Sequence, residues 1–205
     1  MSGKKLKSLN VVEEIKPKYF SVKEAVLPFA KFPEVDVLLG PEMKSTGEVM
    51  GIGNSFGEAY FKAQRAAGVI LPKKGNVFIS VRDKDKGPVC DVAKELIKIG
   101  FNLFATRGTQ VYLENNNIKC ERINKVKQGH PHIVDMIKNG NVHLIINTTE
   151  GALSIKDSFS IRKEANNHNV CLTTTISGAK AFCKAIKFID DFDAMDLKKR
   201  HKAIQ

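Results

Sequence analysis

Tryptophan is absent from this 205-residue chain, and aromatic residues make up only 7% of it. Nonspecific single-strand nucleic-acid binders stack bases on aromatic side chains, so that mode of binding is disfavoured. No apolar run approaches the ~18 residues a membrane span needs. Met1-Ser2-Gly3-Lys4-Lys5 is not followed by the apolar core of a signal peptide. Together these point to a cytoplasmic protein with no membrane partner. The four cysteines, Cys90, Cys120, Cys171 and Cys183, stand far apart with no C-x-x-C pair. That argues against a zinc or disulfide framework and leaves buried free thiols. What remains is 42% hydrophobic, enough for one ordinary core and a smaller second unit.

Acidic residues are in deficit, and unevenly so. Residues 1–67 carry 10 Lys+Arg against 8 Asp+Glu, whereas residues 68–205 carry 23 against 14, which places most of the net charge of +11 in the second part. A basic unit of this kind suits an anionic partner, either a nucleic acid or a small anionic ligand. Without stacking platforms the small ligand is favoured.

The two parts are also organised differently. Up to about Gly53 the text is irregular, punctuated by Pro17, Pro28, Pro33 and Pro41, and only Ser21–Leu27 suggests a short helix. Ser55 and Glu58 then form a capping box for a helix carrying Phe56, Ala59, Tyr60, Ala63 and Ala67, with Gly68 as its stop. Val69–Gly75 reads as a linker. From Asn76 onward apolar runs alternate with helical patterns. The strands are expected at 76–81, 101–105, 118–123, 142–146 and 170–172, the fourth being the most hydrophobic and so central. Helices are expected around 89–99, 111–113, 130–139, 157–167, 179–189 and 194–203. The fold class is therefore α/β, a five-stranded parallel sheet flanked by helices, preceded by a small, mostly irregular and helical segment.

Each strand of such a sheet ends in a polar cluster: Arg82–Gly87, Thr106–Thr109, Asn124–Gly129, Asn147–Gly151 and Thr173–Gly178. Right-handed crossovers put all of them on the carboxyl edge, where α/β sheets bind ligands. Thr106-Arg107-Gly108-Thr109 lies between a strand and a helix start, where free amides and the helix dipole favour an anion. Asn147-Thr148-Thr149 adds donors, and Lys86 and Lys125 add positive charge. The chemistry suits a phosphorylated small molecule. Threonine and glycine clusters also simply end strands and cap helices.

Catalytic groupings are sparse. His130-Pro131-His132 before a helix reads as a cap and surface contact rather than a metal site. Asp157 beside Ser158 reads as a helix N-cap. Asp83 and Asp85 lie among cations as solvated charge. No nucleophile–base pair can be singled out.

Several motifs resemble one family. Ser21–Phe29, Lys31-Phe32-Pro33 and Leu39–Gly51 closely resemble the end of the second ATP-grasp unit in the carbamoyl phosphate synthetase large chain. Thr-x-Gly-Thr, Asn-Lys-Val, Gly-x-Pro-His and Ile-Ile-Asn-Thr-Thr-x-Gly follow in that family's order. Residues 1–67 are thus similar to the remnant of that unit, and 68–205 to its methylglyoxal synthase-like, Rossmann-type allosteric domain.

The resemblance implies a regulatory section. In the family the full large chain makes carbamoyl phosphate from bicarbonate, ammonia delivered by a glutaminase small chain, and two ATP with Mg or Mn. The terminal domain binds a nucleotide effector such as UMP or IMP, serving pyrimidine and arginine biosynthesis. Lys86, Thr106, Arg107, Gly108, Thr109, Lys125, Asn147, Thr148 and Thr149 would form the nucleotide site. Glu24 and Thr174 match positions associated with the activator ornithine. The cluster at Thr173–Gly178 would accordingly face the synthetase. Ala152 and Leu153 stand where bacterial members often carry an arginine pair, Arg107 where a histidine is common, and Thr173 where an aspartate is common. The family's ATP-grasp phosphate and magnesium ligands lie upstream of the matched region, so no cofactor and no complete active site are expected here. Two other classes stay open: a stand-alone methylglyoxal synthase-type lyase, and a basic nucleic-acid-binding module.

Overall fold

The computed structural model describes residues 3–10, 13–14, 16–27, 36–38, 47–194 and 196–202. The Pro28–Pro33 stretch and most of the Leu39–Gly51 motif lie outside them. Strand β1 (Phe20–Val26) pairs antiparallel with β2 (Gly47–Gly53), Phe20 opposite Gly53 and Val26 opposite Gly47. The helix expected at Ser21–Leu27 is therefore a strand. Half-buried Val22, Glu24 and Val26 alternate with exposed neighbours along it, a period of two that the β-branched valines favour. Among the described residues before 68 the regular elements are this two-stranded sheet, a 3-10 turn at Leu6–Leu9 and one α-helix.

That helix, α1 (Phe56–Ala66), is capped by Ser55, whose Oγ accepts the Glu58 N–H at 3.3 Å. The Glu58 carboxylate reaches back one residue further than a capping box requires, accepting the Asn54 N–H at 2.7 Å. Gly51 lets β2 lie directly against α1, since a Cβ there would sit 2.0 Å from the Ala59 carbonyl oxygen.

The second sheet contains β3 (Gly75–Ser80), β4 (Phe101–Ala105), β5 (Glu121–Arg122), β6 (Leu144–Asn147) and β7 (Cys171–Thr173). All pairings are parallel and the order is β5-β4-β3-β6-β7. The middle strand is thus β3, with the most hydrophobic strand, β6, beside it. Between the strands run α2 (Lys86–Ile99), α3 (Arg107–Asn115), α4 (Ile133–Lys138), α5 (Ala152–Asp157) and α6 (Phe159–Asn167), and β7 is followed by α7 (Ile176–Ile186) and α8 (Leu197–Lys202).

Side-chain alternation splits the core into two layers. Val77, Ile79, Leu144 and Ile146 pack with residues of α1, α2, α3 and α7 on one face. Phe78 and Ile145 pack with α4 and α6 on the other. Phe78 and Ile145 are both fully buried, each contributing on the order of 1.5–3 kcal/mol. Leu71 anchors the expected linker in the first layer, and all four cysteines are buried and free.

Three boundaries differ from expectation. The third expected strand shrinks to two exposed edge residues, while Ile118, Cys120 and Ile123 sink into the core around it. Helix α4 starts only at Ile133, because His132 is its N-cap. The helix expected from Asp157 is broken at Ser158, so Asp157 closes α5 instead of capping α6.

Candidate functional site

Backbone pairing continues past the strand ends and gathers the polar clusters. The Thr106 N–H donates to the Ile79 carbonyl at 3.3 Å, Thr148 N–H to Ser80 at 3.0 Å, and Ile123 N–H to Ala105 at 3.0 Å. Above this edge lies a cavity of about 680 Å³ whose lining includes Arg82, Lys125, Thr148, Ser154, Asp157 and Ser158. Several hundred cubic ångströms accommodate a nucleotide-sized ligand.

The sequence-predicted residues take different positions around it. Lys125 and Thr148 face the cavity directly. Lys125 is exposed, and among the described residues no carboxylate forms an ion pair with it. Asn147 lies beneath the floor, 1% exposed, its Nδ2 donating to Ser158 Oγ at 3.4 Å while its Oδ1 has no partner among the described residues. A buried carbonyl oxygen without a donor is unusual, and a ligand donor would satisfy it.

Thr106 and Thr109 form the wall behind the edge. They are 4% and 2% exposed, and their hydroxyls are used internally. Thr106 Oγ1 lies 3.4 Å from both Ser80 Oγ and Thr109 Oγ1, and Thr109 Oγ1 accepts the Val81 N–H at 3.3 Å. They set the spacing of β3 and β4 rather than lining the cavity. Lys86 opens α2 and pairs with Asp83 at 2.8 Å, and a Cβ on Gly108 would sit 3.6 Å from its Nζ. Arg107 is exposed at the start of α3, and Thr149 is half-buried outside the lining.

The turn after β3 is held by charge. Arg82 Nε donates to Asp85 Oδ2 at 2.6 Å, and the Arg82 N–H donates to Thr148 Oγ1 at 3.2 Å. Burial pushes the Asp85 carboxyl up, but hydrogen bonds from Thr148 and Arg82 outweigh it and hold the group below its usual range. Asp83 is likewise lowered by its hydrogen bond to Lys86. Arg82 belongs to the polar cluster after β3, and Asp157 and Ser158 to the expected helix cap. Ser154 carries no sequence signal of its own and reaches the cavity from α5.

A second cavity, of about 380 Å³, joins the two sheets and is lined by Glu24, Tyr60, Gln64, Asn166, Thr174 and Phe182 among others. Glu24 and Thr174, 150 positions apart in sequence, thus come to one site. Burial raises the Glu24 carboxyl above its ordinary 4.5, with a hydrogen bond from Gln64 opposing the rise. Burial and the nearby Glu24 raise the Tyr60 hydroxyl further. One carboxylate among apolar walls and hydroxyls fits a small amine with an aliphatic stem.

The paired histidines cap α4. His132 Nδ1 accepts the Asp135 N–H at 3.3 Å, and Asp135 Oδ2 accepts the His132 N–H at 2.9 Å while lying 2.7 Å from His130 Nδ1. The donor atoms of these three residues fall within 4.8 Å of one another, a spacing open to a metal. His132 Nδ1 and Asp135 Oδ2 already serve the cap as acceptors of backbone N–H groups.

The MGS-like domain family matches residues 88–174. The carbamoyl phosphate synthase large chain of Pseudomonas putida is 58% identical over 188 residues, 92% of this chain and 18% of that protein. That of Pseudomonas aeruginosa is 54% identical over 205 residues, 100% of this chain and 19% of that protein. The chain belongs to the carbamoyl phosphate synthase large-chain family, as a section of it. It spans less than one fifth of the length of the relatives it matches. A solved structure, methylglyoxal synthase from Elizabethkingia anophelis, is similar at 17% identity, with a TM-score of 0.44, covering 64% of this chain and 93% of that one. The five-stranded parallel sheet flanked by helices is the MGS-like fold. Among the described residues no helix is long and apolar enough to cross a membrane.

Proposed function

We propose that this chain is the regulatory section of a carbamoyl phosphate synthase large chain. In this reading it binds a nucleoside monophosphate such as UMP or IMP in the larger cavity and ornithine in the smaller one. Residues 1–67 are the end of the carbamoyl phosphate-forming ATP-grasp unit, and 68–205 the allosteric domain. Its partners are the rest of the large chain and, through the complete enzyme, the glutaminase small chain. ATP and Mg or Mn belong to that larger assembly, and the section has no complete active site of its own.

The observation that carries the reading is the larger cavity, lined by Lys125, which has no ion-pair partner among the described residues, and by Thr148, next to Asn147, whose buried Oδ1 has no partner among them. Lys125 supports a phosphate, and Asn147 a ligand donor group. The larger cavity reaches this edge without using the hydroxyls of Thr106 and Thr109, so phosphate recognition rests first on Lys125, Thr148 and backbone amides. Regulation follows if a ligand prefers one arrangement of this section against the synthetase, since only differential affinity shifts an equilibrium.

Calorimetric titration with UMP, IMP and ornithine tests this. Binding of one nucleotide and of ornithine supports it. The absence of heat with all three at millimolar concentration overturns it, and turnover of a triose phosphate would point to the lyase instead.

A further inference from the structure

Helices α5 and α6 form much of the larger cavity's wall, through Ser154, Asp157 and Ile161, and α6 also reaches the smaller cavity through Asn166. Between these points Arg162 has no exposed surface. Its Nε donates to Asp36 Oδ1 at 2.7 Å. Its Nη2 donates both to Asp36 Oδ2 and to the Ile155 carbonyl of α5, the latter at 2.9 Å. Asp36 adjoins the other site: Val37, the next residue, lines the smaller cavity, and Asp36 Oδ1 also accepts the Leu38 N–H at 3.2 Å. A single guanidinium nitrogen therefore holds the larger cavity's wall on one side and the approach to the smaller cavity on the other.

The guanidinium suits this task. It is planar and always charged, so a shift of either partner tilts the whole fork rather than being absorbed by a flexible stem. A buried charge also resists losing its carboxylate, so Asp36 must follow. The third nitrogen, Nη1, is buried without a partner among the described residues, so the fork is not fixed from every side.

We infer that Arg162 is a positioning residue through which occupancy of the larger cavity is felt in the smaller one, by way of the Ile155 carbonyl and Asp36. This rests on the two-ligand reading above. A ligand that presses on α5 displaces that carbonyl, the fork turns, and Asp36 draws Val37 with it. By linkage, ornithine must act on the nucleotide to the same extent.

The test is to titrate UMP with and without ornithine, and ornithine with and without UMP, into this chain and its Asp36→Asn variant. In the unmodified chain each ligand should change the other's affinity about fivefold or more. In Asp36→Asn both should still bind singly, with the coupling factor falling to about one. Hydrogen–deuterium exchange of the unmodified chain gives a reading independent of any variant's folding: UMP alone should alter exchange at residues 36–38 as well as in α5 and α6. Coupling of equal size in Asp36→Asn overturns the inference, as do two ligands that bind without coupling, or exchange unchanged at 36–38. Those results leave the proposed function standing. Failure of UMP and ornithine to bind at all would instead fell the proposed function, and this inference with it.

Discussion

Thr109 Oγ1 accepts the Val81 N–H at 3.3 Å, tying the first turn of α3 to the end of β3. Both residues are buried, so the amide has no water to fall back on. Thr109→Val keeps the shape and orphans that donor, at a cost of about 1–3 kcal/mol. At ~2–4 °C per kcal/mol for a chain of this size, Tm should drop by several degrees, and Thr109→Ser should recover part of it. An unchanged Tm with UMP binding abolished would show that the hydroxyl serves the ligand instead.

Lys125 has the opposite profile. It faces the larger cavity and has no ion-pair partner among the described residues, so removing its charge should leave Tm unaltered. Lys125→Gln deletes a charge-assisted hydrogen bond to a phosphate, which is about ten- to hundredfold in affinity. Calorimetry with UMP on the two proteins checks this. Equal affinities would place the phosphate elsewhere on the edge.

These two residues show what was legible in the sequence. Apolar runs ending in Thr, Asn and Gly clusters gave the parallel sheet and its ligand-bearing edge, and β4 falls on Phe101–Ala105 as expected. Which way a hydroxyl points was not legible, because Thr106 and Thr109 turn inward to meet Ser80 and Val81, about 26–28 residues away. The strand at Phe20–Val26 was missed for a related reason, since its partner lies beyond a long intervening stretch and no local pattern announces the pairing. Asn147 carries a sequence signal, but the orientation of its amide does not, because Nδ2 is held by Ser158 from the break between α5 and α6 while Oδ1 has no partner among the described residues.

Glycine replacements at two helical sites should act with opposite signs. In α1, a Cβ on Gly57 would lie 2.7 Å from the Lys184 carbonyl oxygen and 2.9 Å from Phe188 Cε2, where α1 crosses α7. Gly57→Ala should therefore destabilise by about 1–3 kcal/mol despite alanine's better helix propensity. In α2, a Cβ on Gly87 meets nothing nearer than the Tyr112 hydroxyl at 3.8 Å. Gly87→Ala should be neutral or stabilising by up to about 1 kcal/mol. Urea unfolding of both variants decides; a neutral Gly57→Ala would mean that α1 and α7 separate easily.

The cysteines should be inert in the native chain. Burial pushes the Cys120 and Cys171 thiols up to about 12 and Cys183 up to about 11, and it raises Cys90 as well. At pH 8 the thiolate of the first three is on the order of one part in a thousand or less. A thiolate-selective reagent should label less than one cysteine per folded chain and all four after denaturation. Rapid native labelling of two or more would show that the core layer around α2 and α7 opens.

Glu24 makes the smaller cavity sensitive to acid. Burial raises its carboxyl above 4.5, so the ionised form is disfavoured in the fold relative to the unfolded chain. The sign follows from linkage: the penalty is full above the raised value, shrinks as pH falls through it, and vanishes below 4.5, where both states are protonated. Glu24→Gln should thus gain more stability relative to the unmodified chain at pH 7 than at pH 4. Ornithine responds in the other direction, because its ammonium pairs with the carboxylate and not with the acid. Its affinity should fall on acidification at a pH above that of an ordinary glutamate, and the same titrations should show proton release as the ammonium binds. In Glu24→Gln the binding and its pH dependence should both be lost. A pH-independent affinity between 7 and 4.5 would remove Glu24 from the amine's contacts.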